Sequence, residues 1–145
     1  MVATTVDRRH TGEVRLRRLI APAGVAAAVV SSLAYVIARN PHTDRIFPPC
    51  MLLHTTGLYC PGCGGTRAVF DLASGHFGRS LHENAFVVLF VVPPAAIGFA
   101  WWVLNSLGVR VPRVRITVPM VWAYVGLLGV FWVLRNLPGF EFLQP

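Results

Sequence analysis

The stretch Ala85–Val109, AFVVLFVVPPAAIGFAWWVLNSLGV, contains no charged side chain, and it decides how the rest of the chain is read. At 1.5 Å per helical residue, roughly 20 residues cross a hydrocarbon core of about 30 Å, so this run spans with a little to spare. Two further charge-free runs flank it, Leu19–Ala38 and Ile116–Leu134, each just long enough to cross. Of the 145 residues, 54% are hydrophobic and 13% charged, which lies outside the range of ordinary soluble domains. The expected fold class is all-α integral membrane, a single membrane domain 1–145 with three transmembrane helices. It divides into a mobile basic tail 1–18, spans at 19–38, 85–109 and 116–134, a Cys-rich loop 39–84 with a short interfacial helix, and a tail 135–145.

The thirteen basic residues are all arginine. Arg8, Arg9, Arg15, Arg17 and Arg18 precede the first span, and Arg110, Arg113 and Arg115 fill the turn between the second and third. The positive-inside rule puts these eight in the cytoplasm, which leaves the Cys-rich loop and the C-terminus outside. The remaining arginines are nearly balanced there by Asp44, Asp71, Glu83 and Glu141. No basic-aromatic interleaving accompanies them, so nucleic acid is excluded as the partner and the lipid bilayer takes its place. The first apolar run is about twice the length of a signal-peptide core and is expected to be retained as an anchor.

Local signals refine this outline. Gly24, Ala28 and Ser32 line one face of the first span, suited to close helix packing. Asn40–Pro41 ends that helix, and Pro48–Pro49 implies an extended approach to Cys50. Thr66 reads as the N-cap of a short helix through Ala73, Asn84 as the cap of the second span, and Pro93–Pro94 as a kink within it.

The loop segment Cys60-Pro61-Gly62-Cys63-Gly64-Gly65-Thr66-Arg67 crowds two thiols, three glycines and a guanidinium together. Two thiols at this spacing close a disulfide or grip a metal. Adding Cys50 and His54 gives Cys-x3-His-x5-Cys-x2-Cys, the three sulfurs and one nitrogen that tetrahedral zinc accepts. On an oxidising face thiols pair more often, which puts a disulfide among Cys50, Cys60 and Cys63 ahead of zinc, with unbonded thiols as a third reading. Gly62, Gly64, Gly65, Thr66 and Arg67 also describe an anion nest suited to a lipid phosphate. The same residues read as a tight turn in which Arg67 pairs with Asp71 at i+4, and this is the favoured alternative. His76, His82 and Glu83 are expected to face headgroups, and no catalytic set is assembled from them.

These residues resemble the bacterial domain-of-unknown-function 2752 family of small membrane proteins, whose core is Cys-Pro-x-Cys-Gly-x-Thr-Arg. The resemblance runs from Pro49–Cys50 through Thr56–Tyr59 and Cys60–Arg67 to Gly75 and Asn84, roughly the middle third of the chain. Relatives often carry an acidic residue after that last glycine and a proline after the asparagine, where this chain has His76 and Ala85. The resemblance implies no activity. The expected function is an accessory or scaffold protein of a bacterial inner membrane, docking other membrane-protein subunits through its outer loop. The alternatives are a thiol-redox or lipid-phosphate enzyme of the same loop and a structural zinc knuckle, with zinc as the cofactor that the residues allow.

Overall fold

The computed structural model describes residues 3–44, 50–112 and 115–145, with residues 3–16 as helical backbone alone. The described residues form α1 (Ala3–Arg39), α2 (Met51–Thr56), α3 (Gly65–Ala73), α4 (Phe77–Phe86), a π-helical turn Val87–Val91, α5 (Val92–Ser106), α6 (Val118–Arg135) and a short 3-10 turn Glu141–Leu143. No strand occurs among them. Among the described residues, three helical stretches are long and apolar enough to cross a membrane: Arg17–Arg39, Phe77–Ser106 and Val118–Arg135. Only 6% of each apolar window is buried inside the protein, so these faces are left for lipid. The chain is a multi-pass membrane protein.

α1 is longer than its apolar run and starts at Ala3, inside the segment expected to be a tail. It ends at Arg39, as Asn40–Pro41 requires, and the chain turns with Asn40 at φ 33°. The extended approach expected at Pro48–Pro49 lies outside the described residues, as does Arg113.

Contacts divide the chain into two compact units, Met1–Ser32 with Pro94–Val114 and Leu33–Pro93 with Arg115–Pro145. In the first, Trp101 Nε1 donates to the Pro112 carbonyl at 2.8 Å and holds the chain that leaves α5. The second is centred on Phe86, whose ring meets Phe90, Tyr124 and Phe131 at centroid distances of 5.4, 5.5 and 5.4 Å. These contacts join the second span to the third.

Asn84 breaks the helical run of α4 with φ −162° and ψ 92°. Its side-chain oxygen accepts the Val87 N–H at 3.0 Å, the bond expected of a helix N-cap. The second span therefore has its own start within a longer helical stretch. Pro93–Pro94 adds a second irregularity, preceded by the π-helical turn. Pro94 has no N–H for the Phe90 carbonyl four residues back, and Tyr124 Oη donates to that carbonyl at 3.2 Å. The third span thus satisfies a group that lipid could not.

Asn84→Ala removes a cap and two further hydrogen bonds, one of them buried, and is expected to cost about 2–4 kcal/mol of stability. Reversible unfolding in detergent micelles would measure it, and a loss below about 0.5 kcal/mol would contradict the capping role.

Candidate functional site

The site lies in the second unit, where the chain between the first two spans folds into α2, α3 and the start of α4 rather than a loop. α2 was not foreseen, although Gly57 after Met51–Thr56 is a helix-stop signal. Gly57 adopts φ 75° and donates to the Leu53 carbonyl at 3.0 Å. Cys50 sits at the N-cap of α2, and the chain beyond Gly57 returns through Leu58 and Tyr59 to the Cys60–Cys63 turn.

This turn is held from outside by side chains at the span ends. Asn84 Nδ2 donates to the carbonyls of Pro61 and Cys63, both at 2.9 Å. Arg135, the last residue of α6, donates through its two terminal nitrogens to the carbonyls of Cys60 at 3.3 Å and Glu83 at 3.1 Å. Asn136 accepts the Tyr59 N–H at 2.8 Å and donates to the Tyr59 carbonyl at 2.9 Å, and Trp132 Nε1 reaches the same carbonyl at 2.8 Å. Arg135 is wholly buried, over the rings of Tyr59 and Phe131 at 5.9 and 5.5 Å. Its position close to Cys60 and Cys63 sets a fixed positive charge beside the thiols.

The sulfurs of Cys50, Cys60 and Cys63 all lie within 4.8 Å of one another. Cys60 and Cys63 are 3.1 Å apart at sulfur, a hydrogen-bonding distance well beyond a covalent bond of about 2.05 Å, and all three cysteines are free. The Cys60 backbone N–H donates to Cys63 Sγ at 3.2 Å. His54 is exposed and stands outside this sulfur cluster. The Cys50 thiol is lowered to about 6 by the Leu53 N–H and then by hydrogen bonds from Cys63 and Cys60. Burial, followed by the demands of Cys50 and Cys60, pushes the Cys63 thiol up to about 12.

The thiols open onto a cavity of about 550 Å³, whose wall includes Gly62, Gly64, Gly65, Thr66 and Arg67. The five residues read as an anion nest thus share one cavity with the cysteines, although two details of the sequence reading change. The helix starts at Gly65 with Gly64 as its N-cap at φ 76°, so Thr66 is already helical and makes no cap bond. A Cβ on Gly64 would run into the Glu83 carbonyl and Pro145, which leaves only glycine for this position. Arg67 pairs with Glu83, Nε to Oε2 at 3.2 Å, rather than with Asp71 at i+4. A partner from α4 is available because α3 and α4 lie against each other, which helical spacing alone does not reveal.

Glu83 is a further correction, since it is 8% exposed and turned inward, while His76 and His82 are exposed. Asp71 is fully buried and bonded to His42 Nε2 at 3.1 Å. His42 and the burial of Arg135 carried no motif in the sequence. Each depends on contacts between residues far apart in the chain.

Residues 50–103 match the family model DUF2752, a protein of unknown function. No curated protein and no solved structure matches the chain. The matched segment begins at Cys50 and takes in all three cysteines, the glycines from Gly57 to Gly98, Arg67, Glu83 and Asn84. It stops before α6, so the Arg135 and Asn136 contacts reach the matched segment from beyond it.

Two outcomes follow from this geometry. In protein treated with a chelator, iodoacetamide at pH 7 is expected to modify Cys50 first and Cys63 last, and moving to pH 5 should slow Cys50 about tenfold as its thiolate protonates. Peptide mass spectrometry reads the rates, and a Cys50 rate that does not change with pH would refute the assignment. Gly64→Ala is expected to cost at least about 2 kcal/mol in the same unfolding measurement, more than the roughly 1 kcal/mol of a left-handed alanine in open space.

Proposed function

We propose that this chain is a small accessory protein of a bacterial inner membrane whose DUF2752 segment folds around one divalent ion of the zinc type and presents that folded surface to other membrane subunits. The observation that carries the reading is the convergence of Cys50, Cys60 and Cys63 from two segments of the chain. Three sulfurs close enough to share one ion are the donor set of a soft or borderline metal, and zinc takes thiolates at about 2.3 Å. Bound zinc would hold all three as thiolates and tie α2 to the Cys60–Cys63 turn. Arg135 would balance the excess negative charge of three thiolates on a doubly charged ion. Three protein ligands leave a fourth position for water or a partner's side chain, on the side where the cavity stands open. The arginine distribution supports an N-terminus in the cytoplasm, with this surface and the C-terminus outside.

Native mass spectrometry of the purified protein, without reductant, tests the reading. The expected mass is the chain plus one zinc that a chelator removes, with Cys60→Ser weakening zinc binding by at least about 100-fold. A chain lighter by two hydrogens and free of metal would overturn it.

A second reading draws on the low pKa of Cys50 and on the Cys60 sulfur lying within 4.8 Å of the Cys50 sulfur. In it Cys50 attacks a disulfide of a partner protein, releases one partner thiolate, and is resolved by Cys60, which releases the other and leaves a Cys50–Cys60 disulfide. Trapping a mixed disulfide on Cys50 in a Cys60→Ser variant would favour this exchange over the zinc centre.

A further inference from the structure

The cysteine cluster is one of two ligand-bearing groups among the described residues. The other is formed by His42, Asp71 and Glu83, whose ring nitrogen and carboxylate oxygens all lie within 4.8 Å of one another. It draws on three parts of the second unit: the turn after α1, the last turns of α3, and α4. The Asn40 carbonyl accepts the N–H groups of Thr43 and Asp44, both at 3.0 Å, and Asn40 Oδ1 accepts that of His42 at 3.1 Å. These bonds fix the backbone that carries the imidazole. Asp71 is wholly buried and Glu83 nearly so, whereas the His42 side chain is a quarter exposed. The imidazole is thus the side through which an ion would reach the carboxylates.

The arrangement leaves a deficit that a cation would fill. Nε2 of His42 is 3.1 Å from Asp71 Oδ2, and Nδ1 is 3.9 Å from Glu83 Oε1. A neutral imidazole donates from one nitrogen only, so its other lone pair faces a carboxylate oxygen whichever tautomer is present. Asp71 Oδ1 and Glu83 Oε2 are buried and accept no hydrogen bond. The cations beside them are poorly placed to compensate. Arg79 is 3.9 Å from Asp71 Oδ1 with a side chain 62% exposed, and Arg67 reaches Glu83 Oε2 at 3.2 Å without hydrogen-bond alignment. A buried carboxylate in that state is costly unless a further positive charge is supplied.

We infer that His42, Asp71 and Glu83 form a second metal site, for a divalent ion of the manganese or iron type. One nitrogen and two carboxylates are harder donors than three sulfurs, so the two clusters take different ions. The ion would accept an imidazole lone pair and one oxygen from each carboxylate. It would also take over the neutralisation of Glu83 from Arg67, whose side chain lines the cysteine cavity as well. Loading this site therefore releases a guanidinium beside the thiols.

Electron paramagnetic resonance with Mn²⁺ as the probe tests the inference on the full chain in a non-ionic detergent. Only six acidic residues are present in the whole sequence, which keeps background binding low. The wild-type protein is expected to remove the free Mn²⁺ signal at one ion per chain. His42→Gln and Asp71→Asn should each weaken binding at least about tenfold, and His54→Gln, an exposed histidine outside both clusters, should leave it unchanged. His42→Gln alters a partly exposed side chain, so it serves as the test if Asp71→Asn does not fold. A full free Mn²⁺ signal with the wild-type protein at millimolar ion would overturn the inference. Equal binding by the wild-type and His42→Gln proteins would overturn it too, since the ion would then sit elsewhere. An equal loss of binding in His54→Gln would do the same, since the effect would then not belong to this cluster.

Discussion

The Asn84 carboxamide is the contact on which the rest of the site depends. One side chain caps the second span through Val87 and holds the Pro61 and Cys63 carbonyls, so the helix start and the thiol turn share one anchor. An asparagine suits this position because its amide supplies an acceptor for the helix and two donors for the turn. An aspartate could cap but could not donate. The extended backbone at Asn84 aims the side chain back at the turn, which a residue in mid-helix could not do.

Arg135 completes the enclosure from the third span. A buried guanidinium is expensive to desolvate, and here its terminal nitrogens are met by two carbonyls and its face by two aromatic rings. Its Nε has no partner, so compensation is incomplete. Anionic sulfur nearby would improve it, so an ion that held the cysteines as thiolates, as proposed, would also complete the compensation of Arg135. The same arginine holds the Glu83 carbonyl that excludes a side chain from Gly64, so one cation organises the backbone on both sides of the cavity.

The polar chemistry is gathered where Arg39 ends the first span, Phe77 begins the second and Arg135 ends the third. Beyond it the span windows are almost entirely exposed and apolar, as a lipid-facing surface must be. The site is therefore a folded cap built from the span ends and the chain that joins them. In such a cap small changes at a span end are felt at the thiols, because the bonds that hold the Cys60–Cys63 turn come from residues on the spans themselves.

The sequence by itself determined the membrane class, the approximate spans, the Asn84 cap, the end of the first helix at Asn40–Pro41 and the nearness of Cys60 and Cys63 to the glycines and Arg67. These rest on local properties: length without charge, side chains that cannot continue a helix, and thiols close together in the chain. It also brought Cys50 into the discussion, by composition. Tertiary structure alone decided that three sulfurs converge without His54, that Arg67 turns to Glu83 instead of Asp71, and that Gly64 rather than Thr66 caps α3. It alone buried Arg135 and placed His42 between two carboxylates. Each of these joins residues from separate elements, and charge partners in a buried site are chosen by how helices pack, which helical spacing within one element does not encode.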